Sequence, residues 1–456
     1  MRKKKEKSRK ASSAPRRTNS IVIQSFDETP NRFKSKLDPI NHLELRDNFL
    51  ERGQIPQFQI CASHNQKARH IDIKFDLLPE AVAVLEKVCS MFGSGDVFLN
   101  KTFGDKITVD EATDKVKGYL YENNCNNQVK ICWSKDLLCS GKMCWHGPCI
   151  QANRPEARTF NLLLQNSKEN MFLREHGIVC LADHEIGTHY LRMYNDGLQP
   201  WFSQRQQFGI GRLRSKKLLE TEEGLATINT LLKAKHQLLW KPALLYYTAC
   251  KSLEMSFQQL YDHLGTYVRD SNYRWKLVMR VKRVLDDVND VGGYGKDQCY
   301  FTGAVQLLRN IDETDFVLLY SGRIAVEELP RIRRLARMNC IKLPTFLQDV
   351  AKYKQNLWNI AVVNNLVSKD KLSPKRAKLK KINISVTIPS AKKYSKSCQP
   401  SKKTVRTFCN RIAPQSSSIM SPIPYSPHKW MLSKRPRSCP NTFEKSKEKP
   451  KPLWKC

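Results

Sequence analysis

His184-Glu185-Ile186-Gly187-Thr188-His189 places two imidazoles and a carboxylate within six residues of a 456-residue chain. These are the parts of a catalytic zinc site. The imidazoles hold the metal, and Glu185, facing the open coordination position, takes a proton from the water that the metal polarises. The motif therefore predicts a metallopeptidase with one Zn2+ per chain. Its spacing is unusual. In H-E-x-x-H the histidines are four apart and share a helix face, whereas five apart leaves them roughly 140° out of register on a regular α-helix. A single π turn, hydrogen-bonded i→i+5, returns His189 beneath His184, and Gly187 relaxes the backbone between them. The competing reading is a helix with two ordinary histidines.

Ile178, Val179, Leu181 and Ala182 before the motif, and Tyr190 and Leu191 after it, read as a largely buried helix. An ionised glutamate is costly there unless a cation or hydrogen-bond donors offset it, and a divalent metal is the simplest such cation. A third ligand is expected downstream. Thr221-Glu222-Glu223-Gly224-Leu225-Ala226 opens the next helical pattern, in the layout of gluzincin peptidases. The same block also reads as a helix start, with Thr221 as cap and the acids facing the dipole. The residues alone leave both readings open.

Several blocks together carry a resemblance. They are Phe160-Asn161-Leu162, Phe172-Leu173-Arg174-Glu175, residues 184–192, Asn195 with Gln199-Pro200-Trp201, residues 221–226, Arg280-Val281-Lys282-Arg283 and Lys296-Asp297-Gln298. Over residues 40–366 the chain resembles the microtubule-associated tyrosine carboxypeptidases, which remove the C-terminal tyrosine of α-tubulin. The resemblance implies that His184, His189 and Glu223 bind zinc and that Glu185 is the catalytic base. It further implies an active enzyme whose partners are the α-tubulin C-terminal tail and the microtubule, in the cytoplasm and on the cytoskeleton.

A carboxypeptidase must also hold a free carboxylate, for which a planar guanidinium suits best. Arg280 and Lys282 are the first candidates and Arg192 the next, although Arg192 also reads as a partner of Glu175 or a helix cap. Tyr190, Tyr294 and Tyr300 are candidate oxyanion donors, and Trp201 or Phe208 a candidate wall for the terminal ring. An aminopeptidase or endopeptidase would need an acidic clamp or an open-ended cleft, and the basic blocks favour a carboxylate end. A catalytically weak microtubule-binding scaffold on the same fold would be expected to have lost a ligand or Glu185, and none is lost. A metallopeptidase acting on another peptide remains the other alternative.

Charge divides the chain. Residues 1–36 carry a net +9 and residues 367–456 a net +20 of the total +35, leaving +6 for the middle. The expected organisation is a disordered basic tail at 1–36, a catalytic domain at 37–366 and a disordered basic tail at 367–456. Basic tails seek polyanions: nucleic acid, anionic membrane, or the acidic tails of tubulin. Few aromatics interleave the basic tracts, so nucleic acid is not favoured. Trp430 and Trp454 are candidate anchors, and Ser373, Ser421 and Ser426, each before proline, are candidate phosphorylation sites. The N-terminus lacks the apolar stretch of a secretory signal and no apolar run is long enough to span a membrane, so an intracellular protein with reduced cysteines is expected. Cys139, Cys144, His146 and Cys149 could imitate a structural zinc knot, but the cysteines read rather as scattered free thiols on a strand and loop.

The expected fold class is α+β, predominantly helical and zincin-like, with a small mixed or antiparallel sheet beside the zinc-site helix. The apolar pattern predicts a helix at 79–91, strands at 128–133 and 159–164, the second an edge strand flanking the cleft, and helices at 225–232, 244–264, 273–285, 302–310 and 326–336.

Overall fold

The computed structural model describes residues 24–25, 36–63, 72–146, 158–167, 169–213 and 215–368. The chain divides into a unit of residues 1–378 and a second of residues 379–456, and all the described residues belong to the first. The expectations for the two tails, including Trp430, Trp454 and the three Ser-Pro sites, fall outside the described residues but for positions 24–25, 36 and 367–368; Cys149 also lies outside them.

Helices α1 (His42–Arg52), α2 (Leu78–Phe92), α3 (Gly95–Phe103) and α4 (Val109–Glu122) precede most of the sheet. Each has a local reason to start or stop. Pro79 opens α2, whose Ala81, Val84, Leu85 and Val88 form the buried stripe, and Gly93 ends it at φ +77°. Thr108 and Glu111 close a capping box on α4.

The mixed sheet has the order β1-β2-β4-β3, with β1 at Gln24–Ser25, β2 at Val129–Ser134, β3 at Gly141–His146 and β4 at Thr159–Gln165. β2 pairs β4 in parallel, with Val129 opposite Phe160, and β3 pairs β4 antiparallel, with Gly141 opposite Leu164. The expected edge strand at 159–164 is therefore interior. Residues 160–165 are buried on both faces, as an internal strand requires. The edge beside the motif is β3, where Gly141 faces Glu185.

The motif lies on one unbroken helical rod: α5 (Gly177–His184), a π turn (Glu185–Tyr190) and α6 (Leu191–Asp196). It packs on α7 (Lys216–Thr230), which begins well before position 225 because Ser215 caps it by accepting a bond from the Leu218 amide. Thr221 is thus interior and accepts a bond from the Val326 amide instead of capping. The predicted 244–264 helix is two, α8 (Trp240–Ser252) and α9 (Phe257–His263), because Ser256 and Gln259 form a new capping box. α10 (Ser271–Lys282), α11 (Gln298–Arg309) and α12 (Phe316–Leu319) follow. The helix expected at 326–336 shrinks to a 3-10 turn and α13 (Leu329–Ile332), and α14 (Val350–Val363) completes the described helices.

α7 and α11 touch backbone to backbone. A Cβ on Gly224 would lie 2.3 Å from the Gly303 carbonyl carbon, and one on Gly303 would lie 1.8 Å from the Glu220 oxygen. No side chain can yield there, so Gly303→Ala must separate the helices, at a cost of about 1–3 kcal/mol from overpacking. Glu223 rides on α7 beside Gly224. A thermal melt should therefore show a lower Tm, and a metal titration of the same variant weaker binding.

Candidate metal centre

The π turn does what the five-residue spacing requires. The His184 and His189 rings lie 4.9 Å apart, centroid to centroid, and nearly perpendicular at 76°. One long-range and one local bond absorb carbonyls that the π turn leaves over: the Tyr320 hydroxyl donates to the Gly187 oxygen at 2.8 Å, and the Thr188 hydroxyl to the Asp183 oxygen at 2.8 Å. From α7, the Glu223 Oε2 stands 3.8 Å from His184 Nε2 and 3.6 Å from His189 Nε2. One ligand atom from each residue falls within 4.8 Å of the others, a set able to hold a metal ion.

Neighbouring groups fix both tautomers. The Thr230 hydroxyl donates to the Ala226 carbonyl at 2.8 Å, so it meets His184 Nδ1, 3.0 Å away, as an acceptor. His189 Nδ1 donates to the Glu222 Oε1 at 3.1 Å. Both Nε2 atoms are thereby left to the site, the arrangement by which an outer partner orients a metal-ligating histidine. Glu222 is in turn gripped by Arg192, whose Nη1 donates to its Oε2 at 2.5 Å.

Burial and the neighbouring charges set the protonation of the site. Burial, then the charge on His189, pushes His184 down to about 3. Burial also opposes charge on His189, but the hydrogen bonds it donates to Glu222 and Glu223 outweigh this and raise it to about 10. Burial works against the Glu223 carboxylate, yet the same His189 bond holds it down at about 2. A proton on His189 thus fills the place of positive charge among the acids. Burial raises Glu185 to about 7, and its buried Oε2 has no hydrogen-bond partner. Two imidazole nitrogens, one carboxylate oxygen and an adjacent unpartnered carboxylate fit a zinc ion with an open position.

This centre lies on a cavity of about 1120 Å³. Of the candidate carboxylate clamps, only Arg280 lines it, and its Nε and Nη2 already donate to Asp297 at 2.7 and 2.8 Å. Lys282 is fully buried, its ammonium spent on the Ser252, Met255 and Asp290 carbonyls. Two residues beyond Arg280 is about 200° around a helix, so the two cannot share a face. Arg192 is also fully buried, bound to Glu222 and to the Leu319 and Ile324 carbonyls, and pairs with neither Glu175 nor the end of its own helix. It is a positioning residue. The expected ring wall is misplaced as well: Trp201 is core, its indole donating to Asp196, and Phe208 lies off the cavity. The aromatic lining is Phe98, Phe103, Trp145, Phe172, Trp240, Tyr273, Tyr294 and Tyr300. Tyr190 is sealed against Gln128, whereas Tyr294 and Tyr300 line the cavity.

Fold and site together define a helix-rich α+β protein whose π turn and neighbouring helix assemble a buried His-His-Glu set, with a glutamate beside it, at a large cavity. The family model described as microtubule-associated tyrosine carboxypeptidase matches residues 165–366, which carry every one of these groups. Microtubule-associated tyrosine carboxypeptidase 1 of Homo sapiens is 32% identical over 337 residues, spanning 72% of this chain and 68% of the relative. The protein of that name from Rattus norvegicus is 31% identical over the same length and coverage. The chain belongs to this family.

Proposed function

We propose that the chain is a zinc-dependent, zincin-like carboxypeptidase that removes the C-terminal tyrosine of α-tubulin. The observation that carries the reading is the charge of the cavity wall. Apart from the Glu185 base, its acids are engaged: Asp38 by Arg283, Glu169 by Arg46, Glu222 by Arg192, Asp297 by Arg280, and Glu223 by the two histidines. None is left to clamp a substrate amine, as an aminopeptidase requires, while Lys241 and Lys276 face the same space.

When bound, zinc supplies Lewis acidity to water and to the scissile carbonyl. His184, His189 and Glu223 hold it. Glu185, drier than an ordinary glutamate, takes the proton of the attacking water and returns it to the leaving amine. Tyr300, kept protonated well above the usual range by burial and then by Glu223, offers a hydroxyl donor to the developing oxyanion. The basic tails tether the enzyme to the microtubule, raising its concentration near the acidic tails. Among the described residues, no helix is long and apolar enough to cross a membrane.

Mass spectrometry of the α-tubulin tail after incubation of microtubules with the full chain tests this. The expected result is loss of one tyrosine mass, abolished by a chelator and restored by zinc. Intact tails with one zinc per chain would point to another peptide substrate, and a chain that binds no zinc to a microtubule-binding scaffold.

A further inference from the structure

One wall of the cavity concentrates positive charge. Tyr273, Lys276, Leu277, Arg280 and Arg283 recur three or four residues apart along α10 and its C-terminal cap, and all five line the cavity. Opposite them, Lys241 sits in the first turn of α8, the positive end of that helix, where Trp240 and Pro242 also face the space. The cations press on one another. Burial first, then Arg280 and Lys276, lowers Lys241 to about 7; burial and Arg280 lower Lys276 to about 8.

Their partners are unequal. Arg280 is forked onto Asp297, and Arg283 reaches Asp38 at 3.4 Å. The Lys276 ammonium donates to the neutral Gln165 amide oxygen at 2.9 Å, and Lys241 lies over the Phe172 ring at 4.5 Å. Among the described residues, neither lysine has a carboxylate within ion-pair reach. The Tyr273 hydroxyl, on a side chain only 8% exposed, has no hydrogen-bond partner. A cation–π contact does not offset two desolvated like charges, so the arrangement calls for an anion from outside the chain. It also shares its cavity with His184, Glu185, His189 and Glu223.

We propose that Lys241 and Lys276 receive the free α-carboxylate of the peptide, with Tyr273 donating to the same group and Asp297 holding Arg280 behind them. This rests on the carboxypeptidase reading and names the groups that make it specific for a chain end. Phe98, Phe103, Phe172 and Trp240, which share the cavity with Lys241, receive the side chain of the terminal residue.

The test measures binding rather than turnover. Full-length Glu185→Gln protein, loaded with zinc, is titrated calorimetrically with two acidic peptides ending in tyrosine, one a free acid and the other its C-terminal amide. The free acid is expected to bind about 10- to 100-fold more tightly, the scale of hydrogen bonds to a charged group. Adding Lys276→Gln or Lys241→Met should cut this ratio to a few-fold while leaving amide binding unchanged, and Lys276→Arg should retain much of it. The two lysines lie on different helices, so misfolding of one variant, seen in its melt, leaves the other to answer. Equal affinity for acid and amide would overturn the proposal. So would variants that weaken both peptides alike, which would assign the lysines to internal acidic side chains or to the fold. A preserved acid preference in a protein that cleaves nothing would sink the reaction and keep the subsite. Cleavage with a ratio that the variants do not move would do the reverse.

Discussion

Glu185→Gln is expected to reduce release of the terminal tyrosine by about three orders of magnitude, within the usual range for loss of a general base, while metal content stays at one zinc per chain. The geometry separates the two roles. His184, His189 and Glu223 form the group able to hold a metal ion, and Glu185 stands outside it. The site of a Gly141 Cβ is only 3.1 Å from the Glu185 side chain, so the edge strand holds this group in place and a substitution of the same shape is the informative one. Glutamine keeps the shape but cannot take a proton. It also removes a buried carboxylate whose Oε2 has no partner, so the metal-free variant should melt no lower than the parent. Single-turnover mass spectrometry with elemental analysis of the same sample decides the matter. Zinc lost along with activity would make Glu185 a ligand, and activity retained would place the base elsewhere in the cavity.

The parts of this site that were legible in the sequence are those encoded within one helical segment. A five-residue His-His spacing has few ways to put both rings on one metal, and the π turn at Glu185–Tyr190 is the one expected from it. Apolar periodicity gave α2 nearly whole. It failed where a polar residue took a local role: Ser215 starts α7 early, and Ser256 divides what reads as a single long helix. Arg280-Val281-Lys282-Arg283 reads as one basic block, whereas helical phase sends Lys282 to carbonyls on the far side and aligns Arg280 with Lys276. That signal was present in the spacing. The pairing of Glu222 with Arg192, the Tyr320 bond to Gly187 and the approach of Lys241 to α10 join elements far apart in the chain, which no local pattern records.

Arg192→Met should be among the most destabilising single substitutions in the described domain, by about 3–5 kcal/mol, because it strips a buried carboxylate of its closest partner. Arg192 is wholly buried, its Nη1 on Glu222 and its other nitrogens on the Leu319 and Ile324 carbonyls. Without it, Glu222 keeps only His189 at 3.1 Å and Arg323 at 3.8 Å. Binding should suffer too. Glu222 sets the tautomer of His189, and loss of such an outer partner typically costs 10- to 100-fold in metal affinity. Stability and binding part company in the double variant Arg192→Met, Glu222→Met. Apolar replacement of both members of a buried pair is often nearly neutral, so much of the lost stability should return. Zinc affinity should not, because the His189 Nδ1 proton then has no acceptor to hold the ring. Denaturant melts and competitive zinc titrations of the two single variants and the double variant complete the cycle. If zinc binding recovers together with stability, Arg192 and Glu222 serve the fold alone; if neither recovers, the Leu319 and Ile324 carbonyl contacts, rather than the ion pair, are what Arg192 provides.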